Sequence, residues 1–422
     1  MKSSRISGFY KLSSQERLKI VKDFANLTDD EIGLISRTGG LDIEVANRMI
    51  ENVIGTFELP FGIATNFLID GRDYLIPMVI EEPSVVAAAS NAARMARPGG
   101  GFLTSSTPPH MIGQIQLINA DDPYSARIEI LRNKDEILKI ANEQDPVLIK
   151  YGGGCRDVEA RIINSFRGKM LIVHLIVDVR DAMGANAVNT MCEAVSPFLE
   201  EITGLRAHLR IISNLAKFRV ARAKAVFKMD VIGGEEVVEG VLDAYAFAEA
   251  DPFRCATHNK GIMNGISAVV IASGNDFRAV EAGAHSYAAL DGYKPLTTYE
   301  KDRKGNLVGT IELPVAVGIV GGATSVNPLA RISLKILGIK TADELSRVIA
   351  AVGLAQNFAA LRALATEGIQ RGHMSLHARN IAMMAGAKGE EVDRIVDILV
   401  KEGTVRLDRA REVLSDIRSE RG

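Results

Sequence analysis

The sequence predicts an α+β fold, with a small α/β domain inserted into a large, discontinuous and helix-rich α/β domain. Its 422 residues are enough for two or three packed units and too many for one small core. Ala- and Gly-rich, helix-dominated patterning lies on both sides of a stretch in which strand and helix periods follow each other. With 47% hydrophobic and 24% charged residues, the composition is that of a globular protein.

Changes in this patterning divide the chain into four predicted segments. Residues 1–109 and 215–371 are expected to form the two parts of the large domain, and residues 110–214 the inserted one. A Pro- and Gly-rich stretch at 96–110 interrupts the periodicity and is typical of a crossing between domains. Residues 372–422 contain amphipathic helical patterns and are expected to form a C-terminal helical flap.

Local signals predict the elements in chain order. Ser13 with Glu16 and Thr28 with Glu31 form two capping boxes, so two structural helices should open the chain. Periodicity predicts further elements: strands at 115–118, 171–177 and 307–313, and a helix at 134–144.

Charge and apolar patterning argue against several classes of protein. A net charge of -2, from 50 basic and 52 acidic residues, provides no field that would attract nucleic acid or an anionic membrane. Neither a membrane-spanning run nor a secretory signal was recognised, so a cytoplasmic protein is expected. Cys155, Cys192 and Cys255 are odd in number and widely spaced, which favours buried thiols over disulfides or a metal knuckle.

Four stretches place polar groups inside apolar, Gly-rich sequence, which is where functional sites are expected. In the first, Glu81 and Glu82 follow a strand-like run. Pro83 suits the first position of a helix, so Glu82 should lie at the helix entrance. The alternative is that both are surface acids in a favourable position relative to the helix dipole.

The second stretch, at 251–265, concentrates cations and amides between hydrophobic segments. Such groups beside glycines suit a site for an anion or a carbonyl oxygen, although solvated surface residues are the alternative. The residues concerned are Arg254, His258, Asn259, Lys260 and Asn264.

The third and fourth stretches contain Asp276 and His373. Asp276 follows a predicted apolar strand, where a loop carboxylate can reach a cleft, or else it caps the next helix. His373 and His377 are four residues apart, but no Glu or Cys completes a metal motif, so no metal is expected. His373 follows Gly372 near the hinge of the predicted flap, which suits a proton donor.

A dinucleotide site is predicted although the usual GxGxxG pattern was not found. The apolar strand at 171–177 leads to a helix start, where backbone amides could hold a pyrophosphate. Upstream, Asp145 is expected to end a helix just before glycines 152–154, where its carboxylate would bind a ribose 2′-hydroxyl and repel a 2′-phosphate. NADH is therefore favoured over NADPH. The candidate residues of the helix start are Asp181, Met183, Gly184 and Asn186.

Together these stretches resemble the class II 3-hydroxy-3-methylglutaryl-coenzyme A (HMG-CoA) reductases, the soluble bacterial and archaeal branch of that family. Three signatures carry most of the resemblance: His174 followed after six residues by DxMGxN, GxxGGAT at 318–324, and GHM at 372–374. ENVIGTFELPFGIATNF, EEPSVVAAAS and ATHNKGIMNG extend it over essentially the whole chain.

The resemblance implies a four-electron reduction of HMG-CoA to mevalonate and coenzyme A by two reduced nicotinamides. Glu82 matches the catalytic glutamate of the family, and Lys260 would stabilise the oxyanion formed at the thioester carbonyl. Asp276 would tune the protonation of both groups, and His373 would protonate the departing thiolate.

The resemblance also assigns substrate contacts, in which Ser84, Arg254 and Asn264 hold the acyl carboxylate and hydroxyl. One tension follows for Glu82. A helix entrance and nearby Lys260 both favour the ionised carboxylate, whereas a proton donor must be protonated near neutral pH.

The family further implies a ferredoxin-like dinucleotide domain and a homodimer with a shared active site; a hexamer of three dimers stays open. Biosynthesis of isoprenoids is favoured over catabolic oxidation of mevalonate. A coenzyme A thioester hydrolase or lyase without nicotinamide and an inactive ligand-binding relative are the competing hypotheses. The four candidate catalytic residues argue against the second, and the dinucleotide-like stretch argues against the first.

Overall fold

In a computed structural model, the described residues form two β-sheets with helices packed around them, which confirms the predicted α+β class. The description covers residues 2–119, 121–366 and 369–419, without the side chains of residues 323, 325 and 369–376. The strands are β1 (Phe61–Ile69), β2 (Arg72–Val79), β3 (Phe102–Ser106), β4 (His110–Ile118), β5 (Gly154–Ser165), β6 (Gly168–Asp178), β7 (Arg206–Ser213), β8 (Val220–Phe227), β9 (Thr297–Lys301) and β10 (Leu307–Pro314).

Helices account for most of the remaining described chain. They are α1 (Ser14–Ala25), α2 (Asp29–Ser36), α3 (Ile43–Met49), α4 (Val85–Ala96), α5 (Pro123–Arg132), α6 (Lys134–Asn142), α7 (Pro146–Lys150), α8 (Ala185–Thr203), α9 (Met229–Ile232), α10 (Glu235–Ala250), α11 (Pro252–Ala272), α12 (Phe277–Ala288), α13 (Gly322–Val326), α14 (Pro328–Leu337), α15 (Ala342–Ala365), α16 (Ile369–Met384), α17 (Glu390–Glu402) and α18 (Leu407–Ser419).

Both predicted capping boxes are confirmed at the starts of α1 and α2. Ser13 N donates to Glu16 Oε2 at 2.8 Å and Glu16 N donates back to Ser13 Oγ at 3.3 Å. Thr28 and Glu31 repeat the arrangement, at 2.7 and 3.2 Å. The strands and the helix predicted from periodicity are confirmed as β4, β6, β10 and α6.

The larger sheet has the strand order β2-β1-β3-β8-β10-β9. Helix α15 packs against its central strands and against α4 and α11. Among the described helices, α15 is the one long and apolar enough to cross a membrane, and 67% of its most apolar window is buried inside the protein. Its packing explains that composition, because a helix surrounded by core is apolar on all sides.

The Gly-rich stretch at 96–110 is more than the predicted crossing, because it contains β3 in the middle of the larger sheet. Its glycines allow close approach between backbones. A Cβ at Gly99 would lie 1.8 Å from Val226 O, and one at Gly101 would lie 2.3 Å from Leu68 O. The chain therefore leaves the larger sheet only after Ser106.

Residues 110–213 contribute the second sheet, which has the order β5-β6-β4-β7 and is antiparallel throughout. Helices α5, α6 and α8 pack on it and share an apolar core with its strands. The three last helices, α16 to α18, pack on one another around a separate apolar cluster that contains Ile395, Leu399 and Leu414. That cluster accounts for the amphipathic pattern in this part of the sequence.

Candidate active site

The structure brings Glu82, Lys260 and Asn264 together between the larger sheet and α11. Glu82 lies in the turn that follows β2, and α11 packs against β2. Lys260 and Asn264 are four residues apart on α11, so they share a face of the helix. Lys260 Nζ donates to Glu82 Oε2 at 3.0 Å, and Asn264 Nδ2 donates to the same oxygen at 3.3 Å.

This carboxylate–ammonium pair is accessible to a ligand. The Lys260 side chain is 62% exposed and that of Glu82 is 34% exposed. An ion pair this exposed contributes little to the free energy of folding. The geometry of the pair instead suits chemistry on a carbonyl group, because a cation and a carboxyl group lie side by side.

The backbone next to Glu82 differs from the prediction. Helix α4 begins at Val85 with Ser84 as its N-cap, so Pro83 precedes the helix and Glu82 lies in the turn before it. Ser84 has φ 78°, a left-handed conformation that is strained for a residue with a side chain. Strain of this kind concentrates at functional sites, and here it lies two residues from Glu82.

Asp276 caps α12, which was the alternative weighed from the sequence. Its Oδ1 accepts hydrogen bonds from the backbone N of Arg278 and Ala279 at 2.9 and 3.2 Å, and its Oδ2 pairs with the Arg278 guanidinium at 2.9 Å. The apolar strand predicted before it is wrong: that run is the last part of α11. A buried helix and a buried strand have similar apolar runs, so the sequence pattern alone does not distinguish them. At Gly265 the helix packs closely on α15, where a Cβ would lie 2.9 Å from Gln356 Cβ.

No described contact joins Asp276 to Lys260 within one chain. Twelve residues separate Lys260 from the end of α11 at Ala272, which corresponds to about 18 Å along the axis. Arg254 is also on α11, but it lies about 120° around the helix from Lys260. Burial lowers the pKa of its guanidinium, and no described contact joins it to Glu82.

His373 lies in α16, but its side chain falls outside the described residues. His377, four residues later, is exposed.

Four of the candidate dinucleotide residues, Asp181, Met183, Gly184 and Asn186, lie at the start of α8, where the sequence predicted a helix start. Gly184 is the N-cap with φ 99° and no capping side chain, and Asn186 is exposed in the first turn. Asp181 has a structural bond as well, because its Oδ1 accepts from Ala342 N of α15 at 2.7 Å. Ile319 N donates to the Asp181 carbonyl oxygen at 2.9 Å.

Two of the sequence signatures meet at this loop. A Cβ at Gly318, the first residue of GxxGGAT, would lie 2.6 Å from Met183 N. Arg219, which sequence reasoning did not single out, is buried beside them and donates to the carbonyl oxygens of Ala182 and Met183 at 3.0 and 3.3 Å. Burial lowers its pKa to about 10. Nothing in the local sequence distinguishes Arg219 from a surface arginine.

Asp145 starts a helix rather than ending one, which corrects the prediction. Its Oδ1 accepts from Leu148 N at 2.8 Å, and Pro146 occupies the first helical position of α7. Asp followed by Pro is favoured at that place, so the pair is a start signal. The segment that follows α7 reaches the Asp181 loop, because Arg180 Nε donates to Gly152 O at 2.9 Å.

A cavity of about 1270 Å³ adjoins the helix that follows Glu82. It is lined by the N-terminal segment, β1 and the first turns of α4, including Val86. Sequence reasoning treated the N-terminal helices as structural and missed this cavity, because its walls come from separate parts of the chain. Its cationic lining residues are Arg5, Lys11, Arg17 and Arg94.

Comparisons with known proteins identify the family of the chain. The family described as hydroxymethylglutaryl-coenzyme A reductase matches residues 13–378. The 3-hydroxy-3-methylglutaryl-coenzyme A reductase of Archaeoglobus fulgidus is 73% identical over 417 residues, which cover 99% of this chain and 95% of that protein. A probable reductase of Borreliella burgdorferi is 35% identical, over 88% of this chain and 87% of that protein.

Among solved structures, a class II reductase from Streptococcus pneumoniae, bound to NADPH in open conformations, is 41% identical with a TM-score of 0.82. The match covers 96% of this chain and 100% of the other. The chain belongs to the hydroxymethylglutaryl-coenzyme A reductase family.

Proposed function

We propose that the chain reduces HMG-CoA to mevalonate and coenzyme A, oxidising two NAD(P)H and consuming two protons. The observation that carries the proposal is the convergence of Lys260 and Asn264 on the Glu82 carboxylate in a member of this family. Bound nicotinamide supplies a hydride in each of the two stages.

The protein groups manage the charge that each hydride creates. In the first stage Lys260 stabilises the oxyanion at the former thioester carbonyl, and the C–S bond then breaks. His373 gives a proton to the leaving thiolate, which prevents its return to the aldehyde. In the second stage Glu82 gives a proton to the aldehyde oxygen, which yields the alcohol.

The inserted segment at 110–214 is proposed to hold the dinucleotide. The first-turn N–H groups of α8 have no capping side chain at Gly184, so they can accept a pyrophosphate. Met183 and Asn186 would line this site, whereas Asp181 would hold the loop in place. Asp145 supports a preference for NADH, since one of its oxygens is engaged by Leu148 N and the other could receive a ribose hydroxyl.

The cavity beside α4 is proposed to receive the coenzyme A part of the substrate. A long ligand with phosphate groups needs cations and an apolar wall, and the cavity offers both. Lys11 and Arg94 could reach phosphates, while Arg17 fixes the lining segment at Phe9 and Tyr10 by donating to their carbonyl oxygens at 3.2 and 3.0 Å. The first turn of α4 then leads the thioester end toward Ser84 and Glu82.

A homodimer is proposed as the working unit. No described contact joins Asp276 to Lys260 in one chain, and the last three turns of α11 lie between them along the sequence, so a second copy would supply Asp276 to the shared site. Arg254 would contact the substrate from the side of α11 that does not carry Lys260. A cytoplasmic location and the biosynthetic direction complete the proposal.

The decisive experiment follows nicotinamide absorbance while the purified protein is incubated with HMG-CoA. Oxidation of two NAD(P)H for each coenzyme A released is expected. Release of coenzyme A without oxidation would establish the hydrolase or lyase alternative. Binding without either reaction would establish an inactive relative.

A further inference from the structure

We propose that Glu281 is a positioning residue of this site, whose fixed negative charge keeps Lys260 charged while Glu82 carries the proton it must donate. The proposal rests on the proposed reductase function and concerns a residue for which the sequence suggested no role. It explains how one site can contain both a cationic lysine and a protonated glutamic acid.

The geometry follows from one face of α11. Lys260, Asn264 and Ser267 have the spacing i, i+4, i+7, so their side chains form a row. Asn264 contacts Glu82, and Ser267 Oγ donates to Glu281 Oε1 at 2.6 Å. Because Asn264 and Ser267 are three residues apart, they are neighbours on the helix surface. The carboxylates of Glu82 and Glu281 are therefore bound to adjacent positions of the same row.

Glu281 is held in place from its own helix, α12. His285, one turn later, lies with its Nε2 3.3 Å from Glu281 Oε2. The other ring nitrogen, Nδ1, lies 2.9 Å from the Tyr293 hydroxyl, which fixes the orientation of the ring. The Glu281 side chain is 34% exposed, so its charge is screened less than that of a surface acid.

Burial acts to raise the pKa of Glu281, but hydrogen bonds from His285 and Ser267, with the attraction of His285 and Lys260, hold it below its ordinary value. Glu281 is thus an anion at neutral pH. The ionisable groups that face this part of the structure come from α11, α12 and the neighbouring loops. They are Lys260, Cys255, His285, Tyr293 and Glu82.

A second anion is needed because Glu82 cannot serve as counter-ion and proton donor at once. When Glu82 is protonated, Lys260 loses the partner to which it donates. A nearby anion that stays ionised favours the charged lysine and opposes loss of the proton from Glu82. The Asp276 oxygens of the same chain bind Arg278 and the start of α12, so Glu281 would act beside the Asp276 that a second copy supplies.

The test is Glu281→Gln in the full-length protein, which keeps the size and hydrogen-bonding capacity but removes the charge. The alkaline limb of the kcat profile should move to lower pH by about 0.5–1 unit. At pH 8 kcat should fall about three- to tenfold, with KM for HMG-CoA changed less than about twofold. Glu281→Asp should restore most of the wild-type profile because it restores the charge.

Glu312→Gln is the matched control. Glu312 also accepts a hydrogen bond from α12, from the Tyr287 hydroxyl, and it pairs with Arg222. The Glu312→Gln variant should lose about as much thermal stability as Glu281→Gln, but its pH profile of kcat should not shift. If the wild-type enzyme turns over but the Glu281→Gln variant has an unshifted pH profile, the role of Glu281 is refuted and the reductase function is not. A wild-type protein without nicotinamide oxidation would instead refute the reductase function.

Ser267→Ala is the second variant, in case the charge change prevents folding. It removes the hydrogen bond that holds Glu281 beside the row, so a smaller shift in the same direction is expected. If neither Ser267→Ala nor a folded Glu281→Gln moves the profile, Glu281 has no part in setting these protonation states.

Discussion

Lys260 donates to Glu82 at 3.0 Å across a separation of 178 residues in the sequence. Replacing Lys260 by alanine should reduce kcat by about 10²–10³-fold, because the oxyanion loses its cation. The melting temperature should hardly change, since the lysine is largely exposed. Steady-state kinetics and circular dichroism melts measure both effects. Lys294→Ala is the control, because Lys294 forms a comparable exposed pair with Glu249. Full activity of Lys260→Ala would refute the assigned role.

The shared active site predicts complementation between two inactive chains. Lys260→Ala and Asp276→Asn should each be inactive, and asparagine keeps the α12 cap while removing the charge. In a randomly mixed population, half of the dimers carry one intact site, so about a quarter of the wild-type rate should return. Co-expression with two affinity tags and assay of the mixture measures this. If the mixture is no more active than either variant alone, then Lys260 and Asp276 of one chain belong to the same site, or Asp276 takes no part in the reaction.

His373→Gln should separate the two stages of the reaction. Reduction of the thioester should fall about 10²-fold or more, because the thiolate leaves without a proton. Reduction of free mevaldehyde should stay within a few-fold of the wild type, since no thiolate departs. His377→Gln, on the same helix, should affect neither rate. Equal impairment of both substrates by His373→Gln would contradict the proton-donor role.

Asp145→Asn tests the cofactor preference. Asparagine can still cap α7, so the helix should be preserved while the charge that repels a 2′-phosphate is lost. The ratio of kcat/KM for NADH to that for NADPH should fall about tenfold, equivalent to about 1.4 kcal/mol. Asp122→Asn is the matched control, because Asp122 and Pro123 start α5 in the same way. A wild-type enzyme with equal or better efficiency on NADPH would already contradict the preference.

Gly318→Ala tests the junction between the two signatures. The added methyl group would meet Met183 N at 2.6 Å, so the loop before α8 must move. A loss of about 1–3 kcal/mol in the free energy of unfolding is expected, with a raised KM for the nicotinamide cofactor. Denaturant titration and kinetics measure these effects. Gly33→Ala in α2, where a Cβ meets nothing within 4 Å, should be neutral or stabilising. A neutral Gly318→Ala would show that the loop is not constrained there.

Some elements were predictable because their determinants are close in sequence. The capping boxes of α1 and α2 each close within three residues, and the strand that became β6 is apolar at every position of 171–177 except His174. Other features depended on neighbours far along the chain. The Gly-rich stretch at 96–110 suggested a crossing between domains, and its glycines also permit contact of β3 with Leu68 and Val226. The apolar run before Asp276 is helical because it packs on α15.

The sequence by itself determined the α+β class, the starts of α1, α2 and α8 and, through its motifs, the family to which the chain belongs. Tertiary structure decided which candidate residues meet. It placed Glu82 with Lys260 and Asn264, and it held Asp276 on its own helix cap. It also revealed that Glu281 of α12 contacts Ser267, on the row of α11 that begins at Lys260. The physical reason is that caps and periodicity are local interactions, whereas an active site is assembled by packing between segments that the chain order separates.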